Sequence, residues 1–311
     1  MDLTTKEWEY IKQRLPSYTK TGKARANDKK AINDLLNTPA HDCRWEATPE
    51  KYEICANVWK EINILREIRA ANKRFYWEYK VKQAVEIIER ANEIFGDKLA
   101  VGFSGGKDSL VILDLALKVN PKISVVFNNT TVEFPETVRY IRKLAKEWKL
   151  NLQITRPKKS FMTAVKEHGW ATYENRWCCT LYKKEPTLGF FKEQGINAEI
   201  TGTSRTESFY RMHLTPFKVF KDGLIRVNPL YDWNYQEVWE YIRFYNLPYN
   251  PLYDLGYKRV GCWCCPLKGI SHYKRLRDTH PKLYLFLSKF EPVHPRVPQL
   301  EKEKVPKSLI S

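Results

Sequence analysis

The stretch Val101-Gly102-Phe103-Ser104-Gly105-Gly106-Lys107-Asp108-Ser109 sets small, cationic and acidic residues where an apolar run gives way to a helical one. Two adjacent glycines let successive backbone N–H groups turn inward, and the N-terminus of the following helix adds partial positive charge, so an anion is expected here. Lys107 supplies a cation for the β/γ end of a triphosphate, and Asp108, which repels phosphate, is read as a ligand for Mg²⁺. Ser104 and Ser109 add hydroxyl donors. The spacing departs from the Walker pattern, whose lysine follows a four-residue spacer and a second glycine. ATP with Mg²⁺ is the expected ligand of Ser104, Gly105, Gly106, Lys107, Asp108 and Ser109.

The second reactive group is sulfur. Of seven cysteines, five fall in two clusters, Cys178-Cys179 and Cys262-Trp263-Cys264-Cys265. An adjacent pair and a Cys-x-x-Cys can together supply the four thiolates that iron or zinc wants. The set chosen is Cys178, Cys179, Cys262 and Cys265, with an iron–sulfur cluster, zinc, or plain buried or reactive thiols as the alternatives. Cys264 is left over, as a packed thiol or a sulfur-handling nucleophile. Arg176, Lys183 and Lys184 flank the first pair and offset thiolate charge. Cys43 and Cys55 are read as ordinary buried residues.

Positioning these groups requires a layered fold. From Lys98 onward, short apolar runs (Leu99 to Phe103, Ile123 to Asn128, Asn151 to Thr155, Glu199 to Gly202) alternate with helical segments at Ser109 to Val119 and Pro135 to Trp148. Continuous apolar strands separated by helices predict a doubly wound parallel α/β sheet, with the ligand beyond the strands' carboxyl ends where strand order reverses. Residues 1–96 read as a helical, basic extension: a helix over Thr4 to Leu15, a start signal at Thr48-Pro49-Glu50, and a helix from about Tyr76 stopped at Phe95 by Gly96. Residues 97–231 form the nucleotide-binding domain, and residues 232–311 a C-terminal region holding the cysteine cluster.

Lys and Arg number 53 against 36 Asp and Glu, a formal charge of +17, with 43% hydrophobic residues. That composition excludes disorder throughout and leaves room for a polyanionic partner. Lys73, Arg74, Lys80, Lys274 and Arg275, interleaved with Tyr76, Trp77, Tyr79 and Tyr273, suit phosphates and stacked bases. The N-terminus lacks a signal-peptide pattern and no run approaches the roughly 20 apolar residues of a membrane span, so a cytoplasmic location without membrane attachment is expected.

The loop and its surroundings resemble the PP-loop ATP pyrophosphatases, in the branch that contains the phosphoadenosine phosphosulfate reductases. The resemblance runs from about Leu99 to Pro266. Thr130-Thr131-Val132-Glu133-Phe134-Pro135 is similar to the family's segment beside the adenosine, and Gly202-Thr203-Ser204-Arg205, with Arg211, to its Gly-x-x-Arg motif near the phosphates. Asn228-Pro229-Leu230-Tyr231-Asp232-Trp233 and Leu247 through Tyr253 extend it; Trp233, Trp239 and Tyr253 are read as core. The resemblance implies an adenine nucleotide alpha hydrolase-like fold, nucleotide contacts that include Asn128, Thr130, Glu133, Arg205 and Arg211, and a [4Fe–4S] site on the four chosen cysteines, zinc being the lesser candidate.

Sulfonucleotide-reducing members generally lack the Lys-Asp pair and carry a nucleophilic cysteine near the C-terminus, whereas this sequence keeps Lys107 and Asp108 and has no cysteine after Cys265. The expected activity is therefore cleavage of ATP to AMP and pyrophosphate, with Lys107, Asp108 and Arg205 as catalytic groups. The resemblance is closest in type to the ATP pyrophosphatase component of DNA phosphorothioation systems. Sulfur would be transferred onto nucleic acid, DNA or tRNA, from a donor such as a cysteine desulfurase. A sulfonucleotide reductase and a non-catalytic nucleotide-binding module are the alternatives, and a homo-oligomer is compatible with all three.

Overall fold

The computed structural model describes residues 56–207, 209–220 and 223–297, with Thr5, Trp8 and Glu9. The expected helix over Thr4 to Leu15 (apart from those three residues), the start signal at Thr48, Cys43 and Cys55 lie outside them. The chain divides into two compact units, Met1–Val81 and Lys82–Ser311. The expected boundaries at residues 96 and 231 both fall inside the second unit.

Helix α1 spans Ala56–Phe95, much longer than the segment expected from Tyr76, because neither Gly nor Pro interrupts those residues. It stops where predicted: Gly96 takes φ +51°, in the left-handed region. No helix among the described residues is long and apolar enough to cross a membrane.

Among the described residues, six strands form one sheet: β1 Leu99–Gly102, β2 Ser124–Asn128, β3 Asn151–Thr155, β4 Ala198–Ile200, β5 Phe217–Val219 and β6 Ile225–Val227. Their order is β3-β2-β1-β4-β6-β5. All neighbours are parallel except the β5–β6 edge pair. The connection from β1 leads to β2 on one side, whereas β4 pairs with β1 on the other, so strand order reverses between β1 and β4. A crevice at that reversal, beyond the carboxyl ends, is where such sheets take ligands.

The central strands are apolar because helices cover both faces: Leu99, Ala100, Val101, Val125, Val126 and Phe127 are all buried. Helix α2, Lys107–Val119, begins at Gly106 immediately after the loop that leaves β1. Helix α3, Pro135–Glu147, carries proline in its first turn, where the missing N–H costs nothing. Helix α4, Phe161–His168, is capped by Ser160, whose Oγ accepts from Thr163 N at 3.2 Å. Cys178 and Cys179 sit in a single helical turn, followed by a π-helical turn, Thr180–Lys184, and then helix α5, Glu185–Gln194. Such π turns gather at functional sites.

Helix α6, Tyr235–Phe244, opens on a capping box in which Asn234 and Glu237 satisfy each other's backbone N–H groups. Helices α7, Ile270–Thr279, and α8, Pro281–Lys289, close the second unit. They pack Tyr273, Leu276, Tyr284 and Leu287 into one cluster with Phe134, Phe161, Tyr182, Leu252 and Cys264. This corrects the proposed stacking surface: Tyr273 is wholly buried, and its hydroxyl donates to Cys265 O at 2.6 Å. Trp77 and Lys80 are buried too, while Tyr76 and Tyr79 are exposed.

His294 is wholly buried behind this cluster, its Nε2 lying 3.2 Å from both Tyr273 Oη and Cys264 O. Burial lowers its pKa to about 4, and burial does the same to His272. The folded-state values lie below the ordinary 6.5, so between 6.5 and about 4 the unfolded chain binds protons that the folded chain refuses. Stability is therefore full above pH 6.5 and falls as pH drops through that window. Thermal unfolding at pH 7, 5.5 and 4.5 should show the midpoint falling steeply, and His294→Phe should flatten the pH profile.

Candidate active site

The loop after β1 has the geometry that its sequence demands. Gly105 takes φ +73°, and a Cβ there would meet Ile141 and Thr137 side chains at 3.1 Å, so the loop lies hard against α3. Ser104 Oγ lies 3.2 Å from Ser109 Oγ, which donates to Gly106 O at 2.9 Å. The loop is buttressed from a distant segment: Asn250, itself buried, donates through Nδ2 to Gly105 O at 3.2 Å and to Thr137 Oγ1 at 3.0 Å. Three residues on, Tyr253 Oη accepts from Lys107 N at 2.8 Å. Tyr253 is therefore a loop ligand and a lining residue of the cleft, where the sequence reading made it core. Trp233 is core as expected.

Lys107 Nζ pairs with Asp108 Oδ1 at 2.6 Å and lies 4.9 Å from the centre of the Tyr235 ring. On the other side of the crevice, Gly202 ends the β4 connection, and a Cβ there would lie 2.8 Å from the Asp108 carbonyl carbon and 2.9 Å from its oxygen. Both are backbone atoms of the first turn of α2, so the clash has no cheap escape; overpacking of this kind costs typically about 1–3 kcal/mol. Gly202→Ala is expected to lower the denaturant midpoint modestly and to weaken nucleotide binding at least about tenfold, since 1.4 kcal/mol is a factor of ten. An unchanged dissociation constant would show that this close approach does not shape the site.

A cleft of about 910 Å³ opens over these groups, within the upper range for small-molecule sites. Seven cationic residues line it against four carboxylates. Of the residues expected to contact the nucleotide, Ser104, Gly106, Lys107, Asp108, Ser109, Asn128, Glu133 and Arg211 line the cleft. Three expected residues sit elsewhere. Gly105 turns its α-carbon toward α3. Thr130 is buried and donates to Glu133 Oε1 at 2.9 Å. Arg205 is paired with Asp232 and stacks near Tyr231, outside the cleft lining.

At the β2 end, two buried oxygens have no hydrogen-bond partner, Asn128 Oδ1 and Glu133 Oε2. Asn128 Nδ2 meanwhile donates to Lys183 O at 2.7 Å and Thr187 Oγ1 at 3.2 Å, tying β2 to the π turn. Buried acceptors without partners are costly and point to donors on a bound ligand.

The helical turn Trp177–Cys179 and the loop before α7 bring the four chosen cysteines near enough for their charges to act on one another. Cys178 is pushed up by its hydrogen bond to Cys179, then by burial and by the charges of Cys179, Cys265 and Cys262. Cys179 is lowered to about 6, first by the hydrogen bond from Cys178, with Lys183 and Arg176 assisting against burial. Burial raises Cys262 to about 11, while its charge is the leading cause that raises Lys183 above the lysine range. Cys264 is wholly buried and raised well above the thiol range by burial, which makes it a packed thiol. Among the described residues, no three of His, Cys, Asp or Glu converge closely enough to hold a single metal ion.

Lys268 tests whether the cysteines suit an iron–sulfur cluster. Its Nζ is buried without a hydrogen-bond partner, and burial lowers its pKa against the opposing charges of Cys265, Cys262 and Glu133. A buried ammonium with no acceptor is expensive unless an anionic group sits beside it. Four thiolates around iron are such a group, so the residues present fit one.

Compared with known proteins, residues 98–268 match the phosphoadenosine phosphosulfate reductase domain. An uncharacterized protein of Methanocaldococcus jannaschii is 34% identical over 208 residues, 65% of this chain and 50% of that protein. A second one from that organism is 32% identical, and the chain covers 43% of it; the chain thus spans about half the length of these curated relatives. The adenosine 5′-phosphosulfate reductase of Bacillus mycoides is 32% identical over 67% of this chain and 86% of the enzyme. The crystal structure of the phosphoadenylyl-sulfate reductase of Candida auris, a phosphate complex, superposes with a TM-score of 0.50 at 34% identity, covering 58% of this chain and 88% of that one. The motif-bearing loop, the strand reversal beneath it and a domain match spanning more than half the residues agree: this chain belongs to the phosphoadenosine phosphosulfate reductase domain family.

Proposed function

We propose that the cleft binds an adenine nucleotide with its phosphates against the N-terminus of α2 and catalyses a displacement in which AMP leaves. The observation that carries this reading is the convergence, at the strand-order reversal, of the Gly105-Gly106 loop, Lys107 and the Tyr253 hydroxyl. The two unpartnered oxygens of Asn128 and Glu133 suit the amino and hydroxyl donors of adenosine.

The comparisons favour a sulfonucleotide as substrate over the ATP and nucleic-acid chemistry expected from sequence, since the named relatives are adenosine 5′-phosphosulfate and phosphoadenylyl-sulfate reductases. On this reading the thiolate of an external thiol attacks the sulfate sulfur, an S–S bond forms as the bond to the bridging oxygen breaks, and AMP departs with the electron pair. Lys107 and the loop N–H groups stabilise the charge developing on the departing phosphate. Bound at the four cysteines, an iron–sulfur cluster would supply positive metal charge and redox capacity; Cys178, Cys179, Cys262 and Cys265 would hold it, with Lys183 and Lys268 alongside.

A second reading is supported by one particular pair. Lys107 and Asp108 together provide a cation and a carboxylate ligand for Mg²⁺, which a β/γ-diphosphate uses and a sulfate does not. ATP would then be cleaved to AMP and pyrophosphate to activate an acceptor for sulfur transfer. Incubating anaerobic protein separately with adenosine 5′-phosphosulfate plus a dithiol and with ATP plus Mg²⁺, and measuring AMP, sulfite and pyrophosphate, decides between them. Sulfite release supports the first reading and pyrophosphate release the second; absence of all three products removes both.

The acceptor in the second reading is proposed to be DNA or tRNA, supported by the charge of +17. Each duplex phosphate neutralised contributes about −0.9 to the slope of log affinity against log salt. Anisotropy titrations at low and physiological salt should show binding that collapses with salt, whereas equal, weak binding at both would remove the nucleic-acid partner.

A further inference from the structure

Two arginines of the cleft, Arg226 and Arg259, are not marked by the motifs; Arg226 is paired with Glu199, and Arg259 is held by Glu207. Glu207 Oε2 accepts from Arg211 Nη1 at 2.8 Å and from Arg259 Nη2 at 3.1 Å, while Glu207 Oε1 accepts from Ser204 N at 3.2 Å. One carboxylate anchored to the loop after β4 thus aligns two guanidiniums from segments nearly fifty residues apart.

The charges there do not cancel. A single carboxylate neutralises one of the two arginines, and the other lining carboxylates near these segments are committed, Asp108 to Lys107 and Glu199 to Arg226. Lys258 adds a further cation to the same wall. Arg259 also stands near the phosphate loop: its charge is felt at the hydroxyl of Tyr253, the group that accepts from Lys107 N. An excess guanidinium at a cleft wall, held in orientation by a carboxylate, is suited to bidentate contact with a terminal phosphate.

We propose that Arg259, aligned by Glu207, binds a second phosphate on the nucleotide, beyond the 5′-phosphate that faces α2. The inference rests on the adenine-nucleotide reading and deepens it by naming the part of the ligand that sets specificity. The shared chemistry is a phosphate monoester or chain-terminal phosphate, which a nucleotide carries either at the end of a polyphosphate chain or on the ribose 3′-hydroxyl. AMP carries neither and is the control.

The test is calorimetric titration of wild type, Arg259→Ala and Arg259→Lys with AMP, ADP, ATP and adenosine 3′,5′-bisphosphate at one fixed ionic strength. The Arg259 side chain is 76% exposed, so neither variant threatens the fold. Arg259→Ala is expected to weaken nucleotides bearing the second phosphate by about tenfold while leaving AMP within about twofold, and Arg259→Lys to recover only part, because an ammonium cannot bind bidentately. A loss confined to ADP and ATP assigns the residue to the polyphosphate end, and one confined to the bisphosphate assigns it to the ribose; either supports the proposal. Equal loss across all four ligands, or none, overturns it while leaving nucleotide binding intact. Failure of the wild type to bind any of the four overturns the nucleotide reading and this inference together.

Discussion

Lys107→Ala is expected to lower kcat/KM for AMP formation by about 10²–10³, the cost of removing one preorganised charge from a developing anion. Its ammonium is buried in the cleft floor beside Asp108 at 2.6 Å and beneath the Tyr235 ring, so it acts where water screens it little. Lys107→Met separates charge from packing, since it keeps most of the stem. Both variants should retain the wild-type unfolding midpoint to within a few degrees, because the loop is held independently by Asn250 and Tyr253. Full turnover in Lys107→Met would remove this lysine from the chemistry and, with it, the main reason for placing phosphates at α2.

The second large effect concerns the cysteines. Protein prepared without oxygen is expected to be brown and to carry about four irons per chain, the content of one cubane cluster. Cys178→Ser and Cys262→Ser should each lose that iron, one from the helical turn Trp177–Cys179 and one from the loop before α7. Cys264→Ser should keep it, because Cys264 is wholly buried, with burial raising its thiol well above the ordinary range, and is not one of the four ligands. Colourless protein with one zinc would replace iron with zinc, and iron that survives Cys178→Ser would mean a different set of ligands.

How much of this was legible in the sequence depends on how local its cause is. The loop from Ser104 to Ser109 could be read because its anion site is built from consecutive backbone groups and one strand-to-helix junction. Helix α3 and the strands β1 to β3 were readable for the same reason, each carrying its own periodicity and stop signal. The β5–β6 hairpin was missed because both strands are three residues long, although Asp222-Gly223 between them is a turn signal. Tyr253 was misread as core because a tyrosine among apolar neighbours looks the same whether its hydroxyl is idle or bonded to Lys107 N, a contact 146 residues away in sequence. The available clue was Asn250 three residues earlier, whose Oδ1 accepts from Leu252 N at 3.1 Å and caps the Pro251–Tyr253 turn. Arg259 carried no signal at all, since its role depends on Glu207, brought to it only by the fold. Tyr273 failed in the opposite direction: basic neighbours made it look like a stacking platform, yet helix α7 turns it into the core with Leu276.

The central claim is that this cleft takes an adenine nucleotide and releases AMP. Single-turnover assays on anaerobic protein, with labelled adenosine 5′-phosphosulfate plus a dithiol in one arm and labelled ATP with Mg²⁺ in the other, test it most directly. Stoichiometric labelled AMP is expected in one arm, formed about 10²–10³-fold more slowly by Lys107→Met. Both nucleotides remaining intact, with iron present and the nucleotides saturating, would contradict it.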